Sequence, residues 1–143
     1  MRWTAAFVVS SSVLLAACTS LSGEPVPSAD QTMALDQPFT LKPGEAAAVG
    51  TERVQVQFDR VVADSRCPRD VQCITAGDAT VRVRVALPGK PAASIDLKTT
   101  PNGARATVGT YALTLSDLAP LGLSTAPVKD ADYRATFVLA KVS

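Results

Sequence analysis

Val81, Val83 and Val85 stand at every second position, with Thr80, Arg82 and Arg84 between them. A helix turns by about 100° per residue and would scatter these valines around its circumference. An extended strand puts all three on one side and both arginines on the other. The segment from Ala79 to Leu87 is therefore a strand with one buried and one wet face. That buried face needs a second layer to cover it.

The rest of the chain supplies further strands of this kind. Val54, Val56 and Phe58 alternate with Gln55, Gln57 and Asp59. Phe39 and Leu41 alternate with Thr40 and Lys42, Ile95 and Leu97 flank Asp96, and Tyr111, Leu113 and Leu115 alternate with Ala112 and Thr114. Tyr133, Phe137 and Leu139 share one face of a last strand ending near Val142. No segment holds a helical period over a useful length. Pro43-Gly44, Pro88-Gly89 and Asn102-Gly103 are turn signals, and Asn102-Gly103 is suited to reverse a hairpin between the Ile95 and Thr107 regions. Val61 falls out of phase with Val54, Val56 and Phe58, so a bulge near Asp59 or Arg60 is expected to restore its burial. This many half-apolar strands need a second layer. The expected fold is an all-β antiparallel β-sandwich of about seven or eight strands, with a small β-barrel as the alternative.

The amino-terminal segment follows different rules. Arg2 precedes a mainly apolar stretch from Trp3 to Leu15, too short to cross a bilayer as a helix, and Leu15-Ala16-Ala17-Cys18 closes it. This pattern resembles the lipobox of bacterial lipoproteins. The resemblance implies a signal peptide over residues 1–17, cleavage between Ala17 and Cys18, and lipidation of the Cys18 thiol. Acyl chains such as palmitate on Cys18 would anchor the chain stably if two or more are attached. Thr19 stands where an aspartate would resemble an inner-membrane retention signal, which favours the outer membrane, facing the periplasm. Residues 18–33 are rich in Ser, Pro, Gly and Ala and read as a flexible tether, leaving residues 34–143 as the domain.

Composition narrows the functions. Without residues 1–17 the chain keeps 13 basic residues (the 14 minus Arg2) against 13 acidic ones, so nothing points to nucleic acid. The chain contains no histidine. That excludes Ser-His-Asp and Cys-His catalytic sets, and every histidine-ligated metal site, from within this chain. No cofactor is expected.

Cys67 and Cys73 are the two cysteines beyond Cys18. In an exported chain so close a pair reads as a disulfide, and two thiolates without histidine make a poor zinc site. Asp64-Ser65-Arg66-Cys67-Pro68, then Val71-Gln72-Cys73 and Ala76-Gly77, resemble the signature of a group of bacterial secreted proteins and lipoproteins without an assigned activity. That signature runs Asp-Ser-Arg-Cys-Pro, four variable residues, Cys, then commonly Trp and Gly; here Thr75 stands where Trp is common. The resemblance implies a compact β domain with a bridged loop.

Charges gather near this loop: Asp64, Arg66, Arg69, Asp70 and Asp78, with Arg82 and Arg84 following. One reading is an anion or peptide site built on Arg66, Arg69, Arg82 and Arg84, since guanidinium forks grip carboxylates and phosphates. The other is internal pairing, with Asp64 accepting backbone N–H groups and Arg66 satisfying carbonyls across the loop. Asp130 and Asp132 precede the last strand, and a turn with solvated charges is favoured there over a cation site. The expected function is a non-enzymatic envelope lipoprotein that binds an envelope protein or peptide or serves a structural role. The alternatives are an inhibitor-like module presenting Pro68 to Val71 to a hydrolase, and an enzyme using carboxylates alone.

Overall fold

The computed structural model describes residues 32–142, so Ala17, Cys18 and most of the expected tether lie outside the described residues. Nine strands follow in order: β1 Thr32–Met33, β2 Pro38–Leu41, β3 Ala46–Val49, β4 Val54–Asp64, β5 Ala79–Ala86, β6 Ala93–Lys98, β7 Arg105–Val108, β8 Tyr111–Ala119 and β9 Arg134–Lys141. A short 3₁₀ turn, Asp130–Asp132, leads into β9.

The strands form a five-stranded sheet, β1-β3-β4-β5-β6, and a four-stranded sheet, β2-β9-β8-β7. All neighbours are antiparallel except β1 and β3. No strand is shared between the sheets and no barrel closes. The architecture is the expected all-β sandwich, and the barrel alternative falls away. Val81, Val83 and Val85 are buried together with Val54, Val56, Phe58 and Leu97 of the same sheet. Leu113, Leu115, Phe137 and Leu139 cover them from the other. The Phe58 and Phe137 rings meet edge to face across the sheets at 6.1 Å.

The register of β4 on β5 slips between Phe58 and Arg60 and again between Val61 and Ala63. The expected bulge at Asp59 is present. It returns Val61 to the core side, where it is partly buried. The second bulge leaves Val62 exposed. A third, between Leu115 and Asp117 on β8, turns Leu118 inward after two exposed residues. Three features differ from the sequence expectations. Asn102-Gly103 does not close a hairpin, because β6 and β7 belong to different sheets. The segment crosses between them, held by Lys98 N–H on the Gly103 carbonyl (2.8 Å) and Leu115 N–H on the Ala104 carbonyl (2.7 Å). Pairing begins at Thr32 rather than near Ala34, since Met33 packs on the core. Finally, β3 is an Ala-Ala-Ala-Val strand without alternation, specified by its pairing with β4.

The sandwich has two ends. At one, β4 and β8 finish and β9 begins, and the cysteine loop follows Asp64. At the other lie the Gly50–Arg53 and Pro88–Gly89 turns, the start of β8 and the end of β9.

Candidate functional site: the disulfide-braced end

β4 does not stop because its partner stops. Beyond Asp64 the strands part around a loop whose stem is still hydrogen-bonded. Ser65 N–H donates to the Asp78 carbonyl at 2.7 Å, the Ser65 hydroxyl donates to the same oxygen at 2.9 Å, and Cys67 N–H donates to the Ala76 carbonyl at 2.9 Å. Gly77 has φ +66, and a Cβ there would sit 1.9 Å from the Ser65 carbonyl oxygen, so only glycine lets the two chains come together. Cys67 and Cys73 are bonded, with Cα atoms 5.9 Å apart. Closing so short a loop stabilises the fold by roughly 2 kcal/mol in the chain-entropy model.

Arg66 is the hub. Its Nε and Nη2 donate to the two Asp64 carboxylate oxygens at 2.8 and 2.7 Å. Nη1 donates to the Leu118 carbonyl, and Nη2 also donates to the Pro120 carbonyl at 2.9 Å. Four of the guanidinium N–H groups are thus used. Asp64 further accepts the Arg66 backbone N–H (3.1 Å) and the Tyr133 hydroxyl (2.9 Å). The Arg66 and Asp64 side chains are only 11% and 16% exposed. Burial works to raise the Asp64 pKa, but the Arg66 and Tyr133 hydrogen bonds outweigh it and hold the carboxyl below its ordinary value. Arg66 is shifted upward by its bonds to Asp64. Burial, reinforced by the bond to Asp64, pushes the Tyr133 hydroxyl up to about 12. This cluster ties β4, the end of β8 and the start of β9 together.

A second set of bonds joins the cysteine loop to the 120–128 segment. Arg69 N–H donates to the Gly122 carbonyl at 3.1 Å. The Asp70 carboxylate accepts the Ser124 hydroxyl (2.6 Å) and N–H (2.8 Å), and those bonds lower its pKa. Besides the exposed polar residues Arg69, Gln72, Thr75 and Thr125, this braced pair of loops leaves apolar side chains outward: Ile74 is fully exposed, and Val71 and Leu121 are nearly half exposed. A depression of about 200 Å³ lies between the loops, bordered by Arg66, Pro68, Leu123, Val128 and Tyr133.

The four arginines that an anion site would bring together, Arg66, Arg69, Arg82 and Arg84, are not together, and internal pairing, the other reading, is what Asp64 and Arg66 show. Arg66 is spent internally. Arg69 lies on the loop. Arg82 and Arg84 lie on the outer face of the β5 sheet, where Arg82 forks onto Asp96 of β6 at 2.7 and 2.8 Å and Arg84 lies 3.7 Å from Asp59. Arg82 stands directly opposite Arg60 in the register, and Asp59 and Asp96 offset that like-charge pair. Asp130 and Asp132 sit in the exposed 3₁₀ turn, and among the described residues no three carboxylates or cysteines gather as a metal site would require. Two participants escaped the sequence reading. Tyr133 carried a usable signal, an aromatic with a polar handle beside a charged loop. The Asp70–Ser124 bond spans 54 positions and carried none.

At the opposite end a wider depression of about 430 Å³ is bordered by Glu52, Leu87, Lys90 and Tyr111. There the Tyr111 hydroxyl donates to Glu52 at 2.6 Å and Lys141 Nζ lies 3.3 Å from the same carboxylate. Compared with protein-family models, curated proteins and solved structures, the chain finds no match.

Proposed function

We propose that the chain is a bacterial envelope lipoprotein, processed before Cys18, acylated on that cysteine, and held at the periplasmic face of the outer membrane. Its sandwich acts as a non-enzymatic binding or structural module, and the braced end is the contact surface. One observation carries this reading. At that end Asp64, Arg66 and Asp70 are engaged in internal bonds, while Ile74, Val71 and Leu121 face outward on loops fixed by a disulfide and cross-loop hydrogen bonds. Fixed loops lose little freedom on binding, which favours recognition by exposed apolar groups.

Two experiments test the halves of the proposal separately. Labelled palmitate should enter the parent and not Cys18→Ser, and equal labelling of both removes the anchor. A photo-crosslinking residue at position 74, in intact envelopes, should form adducts with an envelope component, whereas one at position 90, at the far end, should not. Equal adduct yields from both positions remove the contact surface. The same bracing supports a second reading, an inhibitor-like loop for a hydrolase. That reading requires inhibition of a target hydrolase to weaken when Arg69 or Val71 is replaced.

A further inference from the structure

We infer that the braced end rests on the lipid bilayer itself, with Ile74, Val71 and Leu121 entering the headgroup region. This deepens the proposal above and rests on its lipid anchor. Three observations converge on it.

The first is direction. β1 is parallel to β3 and β3 is antiparallel to β4, so the amino-terminal end of β1 points the way β4 runs, toward Asp64 and the cysteine loop. The amino-terminal end of β1 thus opens toward the braced end. The second is distance. Thr32 is level with Ala48, and Ala48 with Gln55, so Thr32 lies roughly 30 Å along β4 from Asp64. The 13 residues from Thr19 to Gln31 span at most about 45 Å when extended. Fully extended, that length exceeds the distance back to Asp64, and it keeps the domain near the surface.

The third is surface chemistry. Among the described residues the exposed large apolar side chains are Val62, Val71, Ile74 and Leu121, all at or toward the braced end. Residues 71–77 and 118–128 contain no charged side chain, and the exposed charges Arg69, Asp70, Lys129, Asp130 and Asp132 border these stretches at the rim of the apolar tip. An apolar tip of this size would not hold a free protein on a membrane. A lipid anchor makes the same contact intramolecular and raises its effective concentration, so a weak insertion suffices to fix orientation. A protein partner would satisfy the apolar tip equally but would not account for the direction of β1.

The test uses the full acylated chain reconstituted in phosphatidylcholine vesicles containing brominated phosphatidylcholine. Trp3, the single tryptophan, precedes Cys18, so Ile74→Trp and Lys90→Trp each place one reporter in the processed chain. Position 74 is exposed, so the larger ring displaces no core packing. Bromolipid quenching of the Ile74→Trp emission should exceed that of Lys90→Trp by about threefold or more. Protein that floats with vesicles yet shows equal, weak quenching at both positions overturns the bilayer contact and leaves the anchor standing. Protein that does not float removes the anchor, and the inference with it. Discrete protein adducts at position 74 in intact envelopes, without lipid adducts, make the tip a protein site and also overturn it.

Discussion

The two ends of the sandwich are built from the same three kinds of side chain. At the braced end a tyrosine hydroxyl and a cation meet a carboxylate: Tyr133, Arg66 and Asp64. At the far end Tyr111 and Lys141 meet Glu52. The chemistry matches, but the surroundings do not. Arg66 and Asp64 are largely withdrawn from water, and Arg66 also holds the Leu118 carbonyl of β8 and the Pro120 carbonyl just beyond it. Glu52 and Lys141 are 52% and 57% exposed, and Lys141 offers a point charge rather than a fork. An ion pair acquires structural weight from the backbone groups it satisfies and the water it lacks.

Arg66→Ala should have the largest effect. It leaves the Asp64 carboxylate with the Tyr133 hydroxyl and one N–H, and strips the Leu118 and Pro120 carbonyls of a donor. A loss of about 3 kcal/mol is expected in urea unfolding with the disulfide intact. The folded Asp64 pKa is depressed, so its contribution is complete above the ordinary carboxylate pKa and disappears as pH falls through the folded value. The gap between parent and variant should therefore narrow in acid to what the Leu118 and Pro120 carbonyls and the packing of Arg66 contribute. A gap that does not change with pH would mean that the charge of Asp64 adds nothing to the loss.

Gly77→Ala ranks next. The added methyl meets the Ser65 carbonyl oxygen at a distance no backbone tolerates, on a residue at φ +66. The stem must spread, at a cost of about 2 kcal/mol, and amide exchange should accelerate at Ser65 and Cys67. Gly44 and Gly89 have positive φ but nothing within 4 Å of an added Cβ, so alanine there should cost less.

Tyr133→Phe removes one bond to a carboxylate partly withdrawn from water and should cost about 1 kcal/mol, more than Tyr111→Phe does. A second signature is alkaline. The Tyr133 pKa is raised from 10.0 to about 12, so its stabilisation is complete below pH 10 and is lost as pH rises toward 12. Tyr133→Phe should lack that part of the alkaline loss of stability. Tyrosinate absorbance in Tyr111→Phe, where Tyr133 alone reports, should appear late.

Much of the sandwich was legible because alternation is a property of single strands. Val81, Val83 and Val85 state their own burial, and Val61 announces a bulge by breaking phase. Leu118 breaks phase with Leu115 in the same way. What the sequence could not state was which strands meet. Asn102-Gly103 is local hairpin chemistry, yet β6 and β7 part into different sheets, because the core faces of the flanking strands decide the pairing. β3 has no alternation to read. At the braced end, the disulfide and the internal roles of Asp64 and Arg66 were visible in the spacing of short-range partners. The carbonyls of Leu118 and Pro120, the Tyr133 hydroxyl and Ser124 come from more than 50 positions away and enter only through the fold. Arg66, Arg69, Arg82 and Arg84 do not form one site for a related reason: strand spacing places Arg82 and Arg84 together on the outer face, but it cannot say that Arg66 on the loop turns inward to Asp64 and the carbonyls of Leu118 and Pro120.

The smallest expected effect lies at the far end. Glu52 has its pKa lowered first by the Tyr111 hydroxyl, then by Lys141, but it stands in water, where removing a partner merely hands the carboxylate back to solvent. Lys141→Ala and Glu52→Gln should each leave the urea midpoint within replicate scatter at physiological salt, and the double variant should equal the sum of the singles. The corresponding cycle on Asp64 and Arg66 should be strongly non-additive, because each side chain alone is left buried without its counter-charge. Raising salt should leave the Asp64–Arg66 coupling in place and erase whatever remains at Glu52–Lys141, since exposed charges are screened and withdrawn ones are not. Equal couplings at the two ends would show that backbone carbonyls and burial add nothing to the pair, and the distinction between a clamp and a surface contact would collapse.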